Sequence, residues 1–263
     1  MFSRLFRRDT TAIPPQPLVD GRPARIPPDM CVYAVGDVHG RADCLTAVRD
    51  LIQQDSAALP AGTTKVVVYV GDFIDRGPDS SAVLDLLIDE PMPGFHAVHL
   101  VGNHDAWLLG FLEDSSVGES WLRHGGDATL RSYDIAVADA AEEEDALQTL
   151  QAQLRERLPA AQLDFLESLD LYYELGDYLF VHAGIRPGVP LGDQQPEDLL
   201  WIREPFLSSG ESAGRVVVHG HTITNEPVVR SNRIGIDTGA CWTGKLTALV
   251  LDGTSFRFLS TSI

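Results

Sequence analysis

The sequence predicts an α/β domain built on a mixed sheet, flanked by helices and carrying one long helical insertion. Three observations predict it. Short apolar runs rich in β-branched residues recur, each closed by Gly with Asp, Asn or His. Helix-period segments separate the first three runs, so that strand, helix and strand fall within about thirty residues, the signature of parallel neighbours. The last runs look antiparallel and complete a mixed sheet.

The elements follow in order. MFSRLFRRDTT carries Arg4, Arg7 and Arg8 without the apolar stretch of a secretory signal, and is expected to be a tail touching membrane at most weakly. Residues 9–29 are rich in Pro and polar side chains, which makes 1–29 an irregular leader and 30–263 a single domain. CVYAV then runs into GDVHG, KVVVYV into GDFIDRG, and HAVHLV into GNHD, with RADCLTAVRDLIQQDS and SSAVLDLLIDE as the helices between. Parallel strands bring such ends to one side of a sheet, where α/β sites assemble. The stretch from about 106 to 176 is helical in period and acidic, and is expected as an insertion over the sheet end. Its AEEEDA segment reads as a solvated helix face. DYLFV before HAG, RVVV before HGHT, RIGI before DTGA, and KLTALVLD with FRFLS close the chain.

Composition narrows the function. Hydrophobic residues form 44% of the 263, enough for a sizeable core. The 38 acidic residues against 20 basic ones give a net charge of −18, which disfavours nucleic acid as the main partner. Three scattered cysteines without a CxxC fit a reducing cytoplasm better than a disulfide framework. No apolar run approaches the ~20 residues of a membrane span.

The strand ends supply Asp37, His39, Asp72, Asp75, Arg76, Asn103, His104, Asp105, His182, His219, His221 and Asp237. Singly, each has an ordinary explanation as a turn, cap or hydrogen-bonded core residue. Jointly, five of six strand ends offer carboxylate, imidazole or amide ligands, and none offers cysteine. That donor set suits Mn, Fe or Zn outside a thiolate site. It is too large for one four-coordinate ion with an open position, whereas two ions sharing a carboxylate would use it all. A metal pair of that kind serves in-line displacement at phosphorus.

GDVHG, GDFIDRG, GNHD, HAG and HGHT, in this order over residues 36–221, resemble the signature blocks of the metallophosphoesterases. They are most similar to the phosphoprotein phosphatase family, in its short bacterial branch, as is the following IDTGACWTGKLTALVLD. The resemblance implies a mixed β-sandwich flanked by helices and a centre of two divalent ions, Mn foremost, with Fe or Zn as alternatives. Asp37 and His39 would hold the first ion, Asp72 would bridge, and Asn103, His182 and His221 would complete the second. His104 would protonate the leaving oxygen, Asp75 would orient His104, and Arg76 would grip phosphate. Arg203 matches a second phosphate arginine, with Arg186 a weaker choice. Asp105 stands where eukaryotic members have glutamate, and His219 and Asp237 are expected to be structural.

The implied activity is metal-dependent phosphomonoester hydrolysis, with a phosphoprotein carrying phosphoserine, phosphothreonine or phosphotyrosine as first substrate. Symmetrical dinucleoside-tetraphosphate hydrolases share most blocks but usually replace the aspartate before Arg-Gly, and this chain keeps Asp75. Hydrolysis of a symmetrical dinucleoside tetraphosphate, or of another small phosphorylated molecule, is the alternative. A non-catalytic binding module is a third reading, opposed by the completeness of the ligand set.

Overall fold

The computed structural model describes residues 16–137 and 144–263. The chain begins with β1 (Leu18–Val19), β2 (Arg22–Pro23), β3 (Met30–Val35), α1 (Ala42–Ser56), β4 (Thr64–Tyr69), α2 (Ser80–Asp89) and β5 (Phe95–His99). A helical stretch follows, with α3 (Asn103–Glu113), α4 (Gly118–Trp121), a kinked link at Leu122–Gly126, α5 (Asp127–Ser132), α6 (Glu144–Arg157) and α7 (Ala160–Glu167). Then come β6 (Tyr172–Leu175), β7 (Tyr178–Val181), α8 (Pro196–Trp201), β8 (Val216–His219), β9 (Val228–Val229) and β10 (Arg233–Gly235). The chain closes with α9 (Ala240–Thr243), β11 (Thr247–Asp252) and β12 (Ser255–Ser260).

Two five-stranded sheets form, ordered β12-β11-β3-β4-β5 and β6-β7-β8-β10-β9. In the first, β3, β4 and β5 are parallel and β11 is antiparallel to β3. Alternation along each strand sends Val32, Ala34, Val66 and Val68 to one face, where they pack against Phe180, Val218 and Ile234 of the second sheet. The opposite residues, Tyr33, Val35, Val67 and Tyr69, pack under α1 and α2. On the outer face of the second sheet, Leu179, Val181 and Val217 meet Leu199 and Ile202 at α8. The result is a β-sandwich flanked by helices.

One expectation is corrected. The strands after Arg215 do not form an antiparallel unit: β8 and β10 are parallel to each other, β7 is parallel to β8, and β11–β12 is a hairpin of the other sheet. The chain leaves β8 through the loop that holds His221 and returns along β9, which pairs antiparallel with β10. Alternating apolar residues report burial and are blind to strand direction.

Of the expected leader, residues 1–15 lie outside the described residues. The remainder carries the β1–β2 hairpin, and its Val19, Ala24 and Ile26 are buried in the core between the sheets. Glu142 and Glu143 of AEEEDA also lie outside the described residues. The helical stretch shares its core with the first sheet, since Phe111, Trp121, Leu130 and Leu154 belong to the cluster that includes Tyr33 and Val67. Among the described residues no helix is long and apolar enough to cross a membrane.

Candidate active site

Both sheets end at one edge, and the polar residues after β3, β4, β5, β7 and β8 converge there. The backbone turns sharply to aim them. His39, Asp72, Asp75, Arg76 and His221 all have positive φ, between +47° and +73°. Gly71, at φ +99°, lies so close to Gly102 that no side chain would fit between the two loops. Asp105 fastens the crossing by accepting the backbone N–H groups of Asp72, Phe73 and Gly102 at 2.8, 3.0 and 2.9 Å. The aspartate that replaces glutamate thus anchors the loop of Asp72. Burial, with Asp72 close by, pushes its pKa up to about 7.

Asp72 is at the centre. Its Oδ1 accepts the His104 backbone N–H at 3.0 Å, and its Oδ2 lies 3.4 Å from His39 Nε2 and 3.5 Å from His182 Nε2. Burial opposes its charge, but His182, His104 and His39 hold its pKa below the usual carboxylate range. The Nδ1–H groups of His39 and His182 donate to the Ile74 and Val70 carbonyls at 2.8 and 2.9 Å, which turns both Nε2 lone pairs inward. Asn103 Oδ1 lies 2.9 Å from both His182 Nε2 and His221 Nδ1. Burial keeps the imidazoles neutral, lowering His39 to about 3 and His221 to about 2, with His182 shifted the same way. Neutral imidazoles are the form that ligates metal.

Beside this group stands a dyad. His104 Nδ1 donates to Asp75 Oδ2 at 2.6 Å, and Asp75 also accepts from Trp121 Nε1 at 2.8 Å and Thr129 Oγ1 at 2.6 Å. Neither Trp121 nor Thr129 carried a signal in the sequence, where they sit in an unremarked helical stretch. Arg76 donates through Nη1 to His39 Nε2 and through Nη2 to His104 Nε2, at 2.7 and 2.8 Å. Arg203 lines the same cleft as Arg76 and His221. That cleft has a volume of about 810 Å³ and is lined by Arg76, Arg123, Arg131 and Arg203, of which Arg123 pairs with Glu119 at 2.7 Å and Arg131 with Asp127 at 2.5 Å.

The other candidates separate. Arg186 is engaged by Asp198 through two hydrogen bonds of 2.8 and 2.6 Å, beyond Arg203. His219 points the other way: Nδ1 donates to the Gly220 carbonyl, Nε2 accepts from Arg233, and the ring packs on Phe206. Asp237 is buried beside Asp37 and accepts the Gly239 N–H at 2.8 Å, and burial raises its pKa to about 6.

Similarity to known proteins agrees with this geometry. A family model of the calcineurin-like phosphoesterases matches residues 30–245. The chain belongs to this family. A bis(5'-nucleosyl)-tetraphosphatase PrpE [asymmetrical] from Oceanobacillus iheyensis is 29% identical over 244 residues, covering 83% of this chain and 88% of the relative. The enzyme of the same name from Bacillus mycoides is 27% identical over 82% of this chain and 88% of its own. Among solved structures, a candidate diadenosine tetraphosphatase superposes with a TM-score of 0.59 at 21% identity, over 90% of this chain and 98% of its own. A protein serine/threonine phosphatase from Saccharomyces cerevisiae reaches 0.52 at 15% identity, over 90% and 81%. These two show the fold.

As a calcineurin-like phosphoesterase the chain is a hydrolase with a dinuclear metal site, and its own residues fit two ions. Asp72 is common to two groups whose ligand atoms lie within 4.8 Å of one another, His39–Asp72–His104 and Asp72–His182–His221. Asp37 Oδ1 and His221 Nε2 are buried without a hydrogen-bond partner, while Asp37 Oδ2 accepts the His221 N–H at 2.9 Å. A buried carboxylate oxygen left unpaired is costly, and a cation is the natural partner.

Proposed function

We propose that this phosphoesterase hydrolyses dinucleoside polyphosphates, with a dinucleoside tetraphosphate as the representative substrate. The observation that carries the reading is the cleft: on a chain of net charge −18, its about 810 Å³ are lined by Arg76 and Arg203 beside His221, while Arg123 and Arg131 line it in ion pairs with Glu119 and Asp127. An arginine-lined cleft on a strongly acidic body suits a small polyanion. The full-length similarity to asymmetrical tetraphosphatases supports the same choice. The intact Asp75 favours a phosphatase only over the symmetrical hydrolases, and does not weigh against an asymmetrical one. Phosphoprotein hydrolysis is the second reading, resting on that intact aspartate.

Asp37, His39, Asp72, Asn103, His182 and His221 would hold two divalent ions, with Asp72 available to both, and Mn²⁺ would suit this oxygen and imidazole set, as would Fe or Zn. Bound there, the pair supplies Lewis acidity for in-line attack of water at phosphorus. Arg76 exchanges its two histidine contacts for phosphate oxygens, which its planar fork matches. That releases His104 Nε2 to carry the proton given to the leaving oxygen, while Asp75 keeps Nδ1 protonated and the ring aimed. Arg203 takes a second part of the polyphosphate. The free cysteines, with Cys31 and Cys44 buried, support a cytoplasmic enzyme.

A substrate panel in Mn²⁺ tests the reading. Diadenosine tetraphosphate is expected to turn over faster than phosphoserine, phosphothreonine or phosphotyrosine peptides and to yield ATP and AMP. The Asp72→Asn protein should bind little metal and lose nearly all activity. Faster turnover of any phosphopeptide would reverse the order.

A further inference from the structure

Among the described residues few large apolar side chains are exposed, and two of them meet at the cleft. Trp242 is 70% exposed and Ile223 45%. Both line the cleft with Arg76 and Arg203. They stand side by side: a Cβ added at Gly239 would lie 3.0 Å from Ile223 Cγ2 and 3.9 Å from Trp242 Cδ1. The backbone beneath the indole is pinned. Arg41 Nη1 donates to the Ala240 carbonyl at 2.8 Å, Thr243 Oγ1 to the Thr238 carbonyl at 3.0 Å, and Thr238 Oγ1 to the Lys245 carbonyl at 2.6 Å. An exposed indole on a fixed turn, lining one cleft with the guanidinium groups of Arg76 and Arg203, is a surface for a partner that covers it.

We infer that Trp242 and Ile223 form a base platform, on which the nucleobase of the substrate stacks while its phosphate chain runs down to Arg76 and Arg203. The complementarity is specific in chemistry. A flat apolar ring joined through a sugar to several negative charges matches an indole beside arginines, and stacking accepts any base because every base has a π-face. Trp242 is neither a metal-ligating nor a proton-transferring residue, so it sets which phosphoric esters and anhydrides bind and leaves the chemical step alone. The inference rests on the dinucleoside polyphosphate reading for its substrate, and its test does not depend on turnover.

The test is calorimetric titration of the Mn²⁺-loaded protein with AMP and with ribose 5-phosphate, which share the phosphate and sugar and differ by the base. Wild type is expected to bind AMP about tenfold more tightly. Trp242→Ala should erase that preference, leaving the ribose 5-phosphate Kd and the melting temperature unchanged, and Trp242→Phe should retain most of it. Equal weakening of both ligands, or an AMP preference that survives in Trp242→Ala, overturns the platform. Diadenosine tetraphosphate turnover is followed in parallel. If wild type prefers phosphopeptides but Trp242→Ala still loses the AMP preference, the platform stands and the substrate reading falls. If the tetraphosphate turns over and the preference survives, the reverse holds.

Discussion

Asp75 is held from three sides, by His104, Trp121 and Thr129, and is fully buried. Its effect falls on the proton of His104. Burial acts to lower the His104 pKa, but Asp72 and Asp75 outweigh it and the net direction is up. A general acid works only while protonated, so activity that needs it is lost as pH rises through this pKa. Asp75→Asn removes one raising influence, and the alkaline limb of kcat/KM should move to lower pH. With a poor leaving group the loss near pH 8 should reach about 10²-fold, whereas a nitrophenolate, which leaves unprotonated, should lose far less. Parallel losses for both leaving groups would argue against His104 as the acid.

The segment from α4 to α5 gives the dyad its setting. The kink at Gly125, where φ is +110°, brings this residue against Arg76, whose backbone N–H donates to the Gly125 carbonyl at 3.0 Å. Trp121 and Thr129 then reach Asp75 from the same segment. Thr129→Val keeps shape and deletes the donor, leaving Asp75 Oδ1 short of a partner in a buried place. Turnover of a poor leaving group should fall about tenfold, with Thr129→Ser close to wild type and metal content unchanged in both. Steady-state kinetics beside metal analysis separates this from lost ligation.

What the sequence made legible follows from the same geometry. Strand ends were readable because ligand types, glycine turns and apolar runs sit within a few residues of each other. Trp121 and Thr129 act across 46 and 54 residues from Asp75, and on their own helices they look like ordinary core and surface positions. The parallel direction of β8 and β10 was hidden for a different reason, since apolar alternation reports burial and not strand direction.

Across the whole molecule the charge is unevenly placed. Asp37, Asp72, Asp75, Asp105 and Asp237 are all buried around the site, a concentration of carboxylates that opposes folding unless cations answer it. Metal binding is therefore also a stability term. At a hundredfold excess over each Kd, two bound Mn²⁺ ions should raise the melting temperature of chelator-treated protein by about 10–20 °C. Differential scanning calorimetry on wild type and Asp72→Asn checks it, the variant showing a much smaller rise. An unchanged melting temperature on metal addition would contradict the assignment of these residues as ligands.

The left-handed turns at the sheet edge carry a consequence for engineering. A non-glycine residue there costs about 1–2 kcal/mol relative to an unstrained backbone, and glycine is the usual remedy. In this enzyme the remedy is closed at His39, Asp72, Asp75, Arg76 and His221, because the residues that would gain stability are those assigned to hold metal, proton and phosphate. Thermostable variants must draw their gains from helices and surface loops, and the strained loops mark where activity and durability trade against each other.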